Sequence, residues 1–188
     1  MSVLVTAATE SDLDELADVA ALTFPLACPP SATPENVAAF IAQHLSRRRF
    51  ADYLTDHQRV VLCAHEDGRM LGYAMLIRGV IADADVQQAV QLRPAVELSK
   101  MYVLPDAHGA GTSAALMTAA LERATRLEAA CVWLGVNQKN QRAQRFYAKH
   151  GFKVSGTKTF RLGDGLEHDY VMVRPLTHAT ESATTPAG

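Results

Sequence analysis

A chain of 188 residues has room for one hydrophobic core, and its 48% hydrophobic and 20% charged residues are those of an ordinary globular domain. A formal charge of −2 and a pI near 6.4 exclude a strongly basic nucleic-acid binder. Cys28, Cys63 and Cys131 are odd in number and far apart, without CxxC or Cys/His metal spacing, so neither a disulfide framework nor a metal site is expected.

No apolar stretch approaches a membrane-spanning length, and the amino terminus lacks the basic and apolar regions of a secretion signal. The expectation is a cytoplasmic protein with no membrane partner. A single domain is expected over residues 1–176, followed by a flexible polar tail over 177–188.

In chain order, residues 3–7 read as a strand, and Thr9 followed by Asp12 reads as a helix cap. Leu13, Leu16 and Ala20 then recur at helical spacing, with acidic residues on the other side. The proline-rich stretch 25–34 reads as a loop, after which Thr33 caps a helix with Pro34 at its first position. Phe40, Ile41, His44 and Leu45 form that helix's apolar side. Arg47, Arg48 and Arg49 read as a solvated helix end.

Residues 60–64 and 70–77 are apolar runs joined by a turn holding Asp67-Gly68, the mark of an antiparallel hairpin. Residues 83–91 read as a loop or short helical insertion before a strand containing Glu97. A helix whose apolar face is Ala114, Met117, Leu121 and Ala124 connects that strand to a second one holding Cys131, read as buried filler. Two last strands flank Gly163-Asp164-Gly165. The fold expected is α+β, a mixed and largely antiparallel sheet with helices on both faces, opened at its one parallel crossover.

Two segments carry chemistry. The strand ELSKMYVL ends at Pro105 and enters DAHGAGTS, which opens a helix. A helix amino terminus offers unpaired N–H groups and partial positive charge, and small residues let a phosphate approach them. His108, Gly109, Ala110, Gly111, Thr112 and Ser113 form that turn, with the Thr112 and Ser113 hydroxyls as extra donors. Downstream, Asn140, Ala143 and Tyr147 share one face of a short helix, since they lie three and four residues apart.

Together these segments resemble the GCN5-related N-acetyltransferases, whose Arg/Gln-x-x-Gly-x-Gly/Ala signature reads here as residues 108–113. The family's Asn-x-x-Ala-x-x-x-Tyr-x-x-x-Gly-Phe pattern reads Asn140, Ala143, Tyr147, Gly151 and Phe152. The resemblance spans residues 60–176 well, and the amino-terminal third in layout only. His108 stands in place of Arg or Gln, and Ser113 in place of Gly or Ala.

The resemblance implies acetyl-CoA as co-substrate. It assigns the pantetheine arm to Met101, Tyr102, Val103 and Asn140, and the pyrophosphate to the turn 108–113. It makes Tyr147 the acid for the departing thiolate and puts Glu97 where some members carry a general base, with a substrate anchor or a structural strand-edge charge as the alternatives. The implied function is N-acetylation of a primary amine by direct attack on the thioester.

Within the family, the combination of ELSKMYVL, VWLGV and GDGLEHDYVM is most similar to bacterial PaiA-type polyamine acetyltransferases. A polyamine site would draw on Asp83, Asp85, Glu97, Asp164, Glu167 and Asp169. Acetylation of protein or peptide amino groups, and a non-catalytic acyl-CoA sensor, are the alternatives. The sequence is compatible with a monomer or a homodimer.

Overall fold

Each apolar run of the sequence becomes a strand of one sheet in the computed structural model, which describes residues 2–178; residues 179–188 of the expected tail lie outside the described residues. The strands are β1 (Leu4–Ala7), β2 (Arg59–Glu66), β3 (Arg69–Arg78), β4 (Ala95–Val103), β5 (Cys131–Asn137), β6 (Lys153–Leu162) and β7 (Gly165–Pro175). Their order across the sheet is β1-β2-β3-β4-β5-β7-β6. All neighbours are antiparallel except β4 and β5, as the sequence leads one to expect. Asp67 (φ 52°) and Gly68 (φ 80°) both take the left-handed conformation that a two-residue hairpin turn demands.

The helices are α1 (Leu13–Ala27), α2 (Pro34–His44), α3 (Arg47–Thr55), α4 (Ala84–Ala89), α5 (Thr112–Arg126) and α6 (Gln141–Lys149). Local chemistry fixes their starts. Thr9 N–H donates to the Asp12 carboxylate at 2.7 Å, Thr33 Oγ1 accepts from Asn36 N–H at 3.2 Å, and Ser46 Oγ accepts from Arg49 N–H at 3.2 Å. The three arginines therefore open α3, a helix that the sequence reading did not separate from α2.

Two expectations are corrected. The proline-rich stretch does not break α1 at Pro25; the helix continues to Ala27. Phe24 holds this last turn in place, stacking on Phe40 at 4.5 Å and meeting Tyr102 edge-on at 6.4 Å. Aromatic pairs of this kind add about 0.5–1.5 kcal/mol to the area they bury. On α5 the buried face is Thr112, Leu116, Met117, Ala120 and Ala124, whereas Ala114 is exposed. The face is rotated because the helix packs on β1 to β5 from its first residue onward.

The sheet carries the irregularity that makes a site. β4 pairs with β5 through only three residues, Ala95 with Cys131, Val96 with Val132 and Glu97 with Trp133. Beyond Glu97 the two strands part. On the other edge of β4, Met75 faces Lys100 while Leu76 faces Leu98, so Ser99 is an extra residue bulged out of the ladder.

A small second core of Val86, Val90, Ala95, Cys131, Trp133 and Val171 packs α4 onto the paired end of these strands. There the Trp133 indole N–H donates to the Gly79 carbonyl at 3.0 Å. Burial pushes the Cys131 thiol up from its ordinary pKa, which suits filler.

Thr112 is 1% exposed, and its hydroxyl finds no partner among the described residues. A buried unpaired hydroxyl costs more than an apolar group of the same shape. Thr112→Val is expected to stabilise the fold by about 1 kcal/mol. Chemical denaturation checks it as a higher midpoint at unchanged slope; a lower midpoint means the hydroxyl is satisfied.

Candidate active site

Where β4 and β5 separate, a cavity of about 300 Å³ opens. One wall is β4 from Glu97 to Tyr102, and another is Gly135, Val136 and Asn137 of β5 with Asn140, Ala143 and Tyr147. The remaining walls come from the ends of the chain: Phe24 and Cys28 near the end of α1, Phe40 and Leu45, then Lys158 and Phe160 of β6 and Asp169 of β7. A more open hollow of about 660 Å³ between α4 and β6 shares no lining residue with it.

Of the residues singled out in the sequence, Glu97, Met101, Tyr102, Asn140 and Tyr147 thus share one cavity. Val103 lies past its end. The side-chain carbonyl of Asn140 caps α6, accepting from Ala143 N–H at 3.0 Å, which leaves its amide N–H₂ for the cavity. Burial pushes the Tyr147 phenol up to about 12, so it carries its proton at neutral pH.

The turn after β4 is built by two left-handed glycines, Gly109 (φ 84°) and Gly111 (φ 82°). A Cβ at either position would meet no atom within 4 Å, so the space in front of the turn is open. The main-chain N–H groups of Gly109, Gly111, Thr112, Ser113 and Ala114 find no acceptor among the described residues. These are the donors a pyrophosphate needs.

The Thr112 side chain points into the core and supplies no donor there, a correction to its expected hydroxyl role. His108 Nε2 donates to the Val103 carbonyl at 2.9 Å while Nδ1 accepts from Arg142 at 3.1 Å. The imidazole therefore staples the turn to the strand end and holds an α6 guanidinium beside it.

Charges in the cavity fall into two groups. Lys158 and Asp169 form a pair at 3.3 Å, with the lysine 5.6 Å above the Phe160 ring. Lys158 also lies across Gly135, where a Cβ would sit 2.4 Å from its Cε. Burial of Asp169 outweighs this lysine and raises its pKa.

Glu97 and Lys100 are different. Neither side chain makes an ion pair or hydrogen bond with a described residue. Burial raises the Glu97 pKa against the pull of Lys100, Lys158 and Arg59. Burial lowers that of Lys100 to about 8, with Glu97 opposing and Arg59 assisting.

Of the acidic residues a polyamine site would draw on, Glu97 and Asp169 line the cavity and the others do not. Asp83 caps α4 through Val86 N–H, Asp85 lines the other hollow, and Asp164 is exposed in the β6–β7 turn. Glu167 is buried as a tie: it accepts from Ser31 at 2.8 Å and Asn137 at 3.2 Å and lies 3.5 Å from Lys139. The Ser31 hydrogen bond, first among these, holds its carboxyl below the usual range.

Sequence reading missed Lys100, Lys158 and Gly135. A lysine inside the apolar strand ELSKMYVL was the available signal for the first of them.

The GNAT acetyltransferase family model matches residues 23–152, more than half of the chain. An uncharacterized N-acetyltransferase of Mycobacterium tuberculosis is 59% identical over 166 residues, covering 88% of this chain and 99% of that protein. Among solved structures, the PaiA N-acetyltransferase of Thermoplasma acidophilum in complex with coenzyme A superposes with a TM-score of 0.74 at 20% identity, over 94% of this chain and 100% of that one. The ribosomal-protein-S18-alanine N-acetyltransferase of Escherichia coli gives 0.66 at 20% identity, over 96% and 98%. The chain belongs to the GNAT family of acetyltransferases.

Replacing Gly111 by Asp puts a carboxylate where the phosphates would lie, in space the fold leaves empty. Acetyl-CoA affinity measured by calorimetry is expected to fall at least ~10-fold, equivalent to about 1.4 kcal/mol. Unchanged affinity in a folded variant removes the turn from the cofactor site.

Proposed function

We propose that the chain transfers the acetyl group of acetyl-CoA to a primary amine by direct attack. The observation that carries this reading is the convergence of Glu97 and Tyr147 on the gap between β4 and β5, with the glycine turn following β4 directly. The residues fit the co-substrate: free N–H groups of the turn 109–114 would hold the pyrophosphate, and β4 beyond Glu97, relieved of its parallel partner, would pair with the pantetheine arm. Bound there, acetyl-CoA supplies an electrophilic thioester carbonyl.

The protein's own groups supply proton handling. An alkylamine with a pKa of about 10 is almost wholly protonated at neutral pH and cannot attack until the proton leaves. Glu97, raised above the ordinary carboxylate range by burial, is the better base for that reason, acting directly or through a water. The Tyr147 phenol, protonated at working pH, gives its proton to the departing sulfur.

A polyamine acceptor draws support from the sequence resemblance. The cavity favours it less, because Glu97 and Asp169 share the space with Lys100 and Lys158, leaving no net negative charge. A sensor that binds acetyl-CoA without turnover is the reading from another class; it would release no CoA with any amine.

Tyr147→Phe keeps the ring that packs on Phe146 and Phe152 and removes only the proton. With the amine best used by the native enzyme, kcat in a thiol-release assay is expected to fall on the order of 10²-fold. Full activity would sink the acid assignment. In the native enzyme kcat/KM falls as pH drops through the raised Glu97 pKa, because protonation removes the base. Glu97→Gln is expected to flatten this acidic limb, and an unchanged limb assigns the proton elsewhere.

A further inference from the structure

Glu97 and Lys100 are three residues apart on β4, and in a regular strand an odd separation puts two side chains on opposite faces. The Ser99 bulge cancels this. Glu97 lies opposite Ile77 and Lys100 opposite Met75, two residues of β3 with the same facing, so both charged groups emerge on one face of the sheet. Both line the cavity, and neither has a partner among the described residues.

Both side chains are half-buried, so their opposite charges, free of other partners, face what the cavity receives. Lys158 is already answered by Asp169 at 3.3 Å. Arg59 is likewise held, 3.0 Å from Asp56 and over the Tyr53 ring. Lys100 is the cation left to answer an anion, and Glu97 the carboxylate left to meet an amine.

We propose that the acceptor is a small amino carboxylic acid, its carboxylate held by the Lys100 ammonium while Glu97 receives the proton of its amine. This deepens the acetyltransferase reading and rests on it. The step balances: the ammonium gives one proton to Glu97, the neutral nitrogen bonds to the acetyl carbon, the carbon–sulfur bond breaks with sulfur taking the Tyr147 proton, and the second proton lost by nitrogen returns to the Tyr147 oxygen while Glu97 releases its own to solvent. A cavity of about 300 Å³ shared with the end of the pantetheine arm leaves room for a small molecule. A polyamine would set a second ammonium against Lys100, whereas a zwitterion answers both open charges.

The test uses the full-length protein and matched acceptors: free amino acids, the same amino acids as methyl amides, and diamines and polyamines of similar length. In a thiol-release assay each acid is expected to exceed its amide at least ~10-fold in kcat/KM. That ratio should fall close to one in Lys100→Met and survive in Lys100→Arg, with circular dichroism confirming that both variants fold. Amides equal to acids, polyamines best of all, or a ratio untouched in Lys100→Met would overturn the proposal.

A second measurement separates this proposal from the reading beneath it. NMR titration of the protein without acetyl-CoA, using an amino acid and its methyl amide, reports the anion site even if no thiol is released with any amine. Saturating shifts with the acid alone, lost in Lys100→Met, sustain the carboxylate site while the transfer reading fails. Equal responses to acid and amide overturn it.

Discussion

Everything at the site depends on the brevity of one parallel pairing. β4 and β5 share three residues of ladder and then diverge, so the backbone of β4 beyond Glu97 has a partner on one side only. Unpaired main-chain groups are costly unless water or a ligand meets them, and an extended chain laid between the two strands is the natural remedy. The Ser99 bulge works in the same direction, because an extra residue increases local twist and turns the strand away from its neighbour. The splay is therefore written into the register of β4.

The same bulge converts sequence spacing into chemistry. Without it, Glu97 and Lys100 would project to opposite faces; with it, a carboxylate and an ammonium share one face above the gap. α6 completes the arrangement from the other strand. Asn140 spends its carbonyl starting the helix, and Tyr147 two turns later reaches the cavity with its proton secured by burial. The bulge sets Glu97 beside Lys100, and α6 brings Tyr147 to the same cavity from a different element.

Much of this was legible in the sequence, for physical reasons. Strand runs, the Asp67-Gly68 hairpin and the Thr33-Pro34 helix start depend on local conformational rules, so they are visible residue by residue. Gly109 and Gly111 were visible because only a turn needing left-handed backbone calls for them so close together. The continuation of α1 past Pro25 was not visible, since it depends on Phe24 meeting Phe40 from another helix. Nor was the bulge, because register is a relation between β3 and β4 and no single strand announces it. The dispersal of the acidic residues follows equally from tertiary placement: Asp83 caps a helix, Glu167 ties a loop, and Asp169 faces a lysine.

Glu167 joins Ser31 from the segment between α1 and α2 to Asn137 and Lys139 at the approach to α6. The cavity is thereby lined by two outer stretches, residues 24–45 and 158–169, as well as by the stretch from β4 to α6. These outer segments meet the splayed strands through the β5–β7 ladder, the Phe24–Tyr102 contact and this carboxylate. A fold divided in this way can vary the lining of its cavity at the periphery while the splay of β4 and β5 stays fixed.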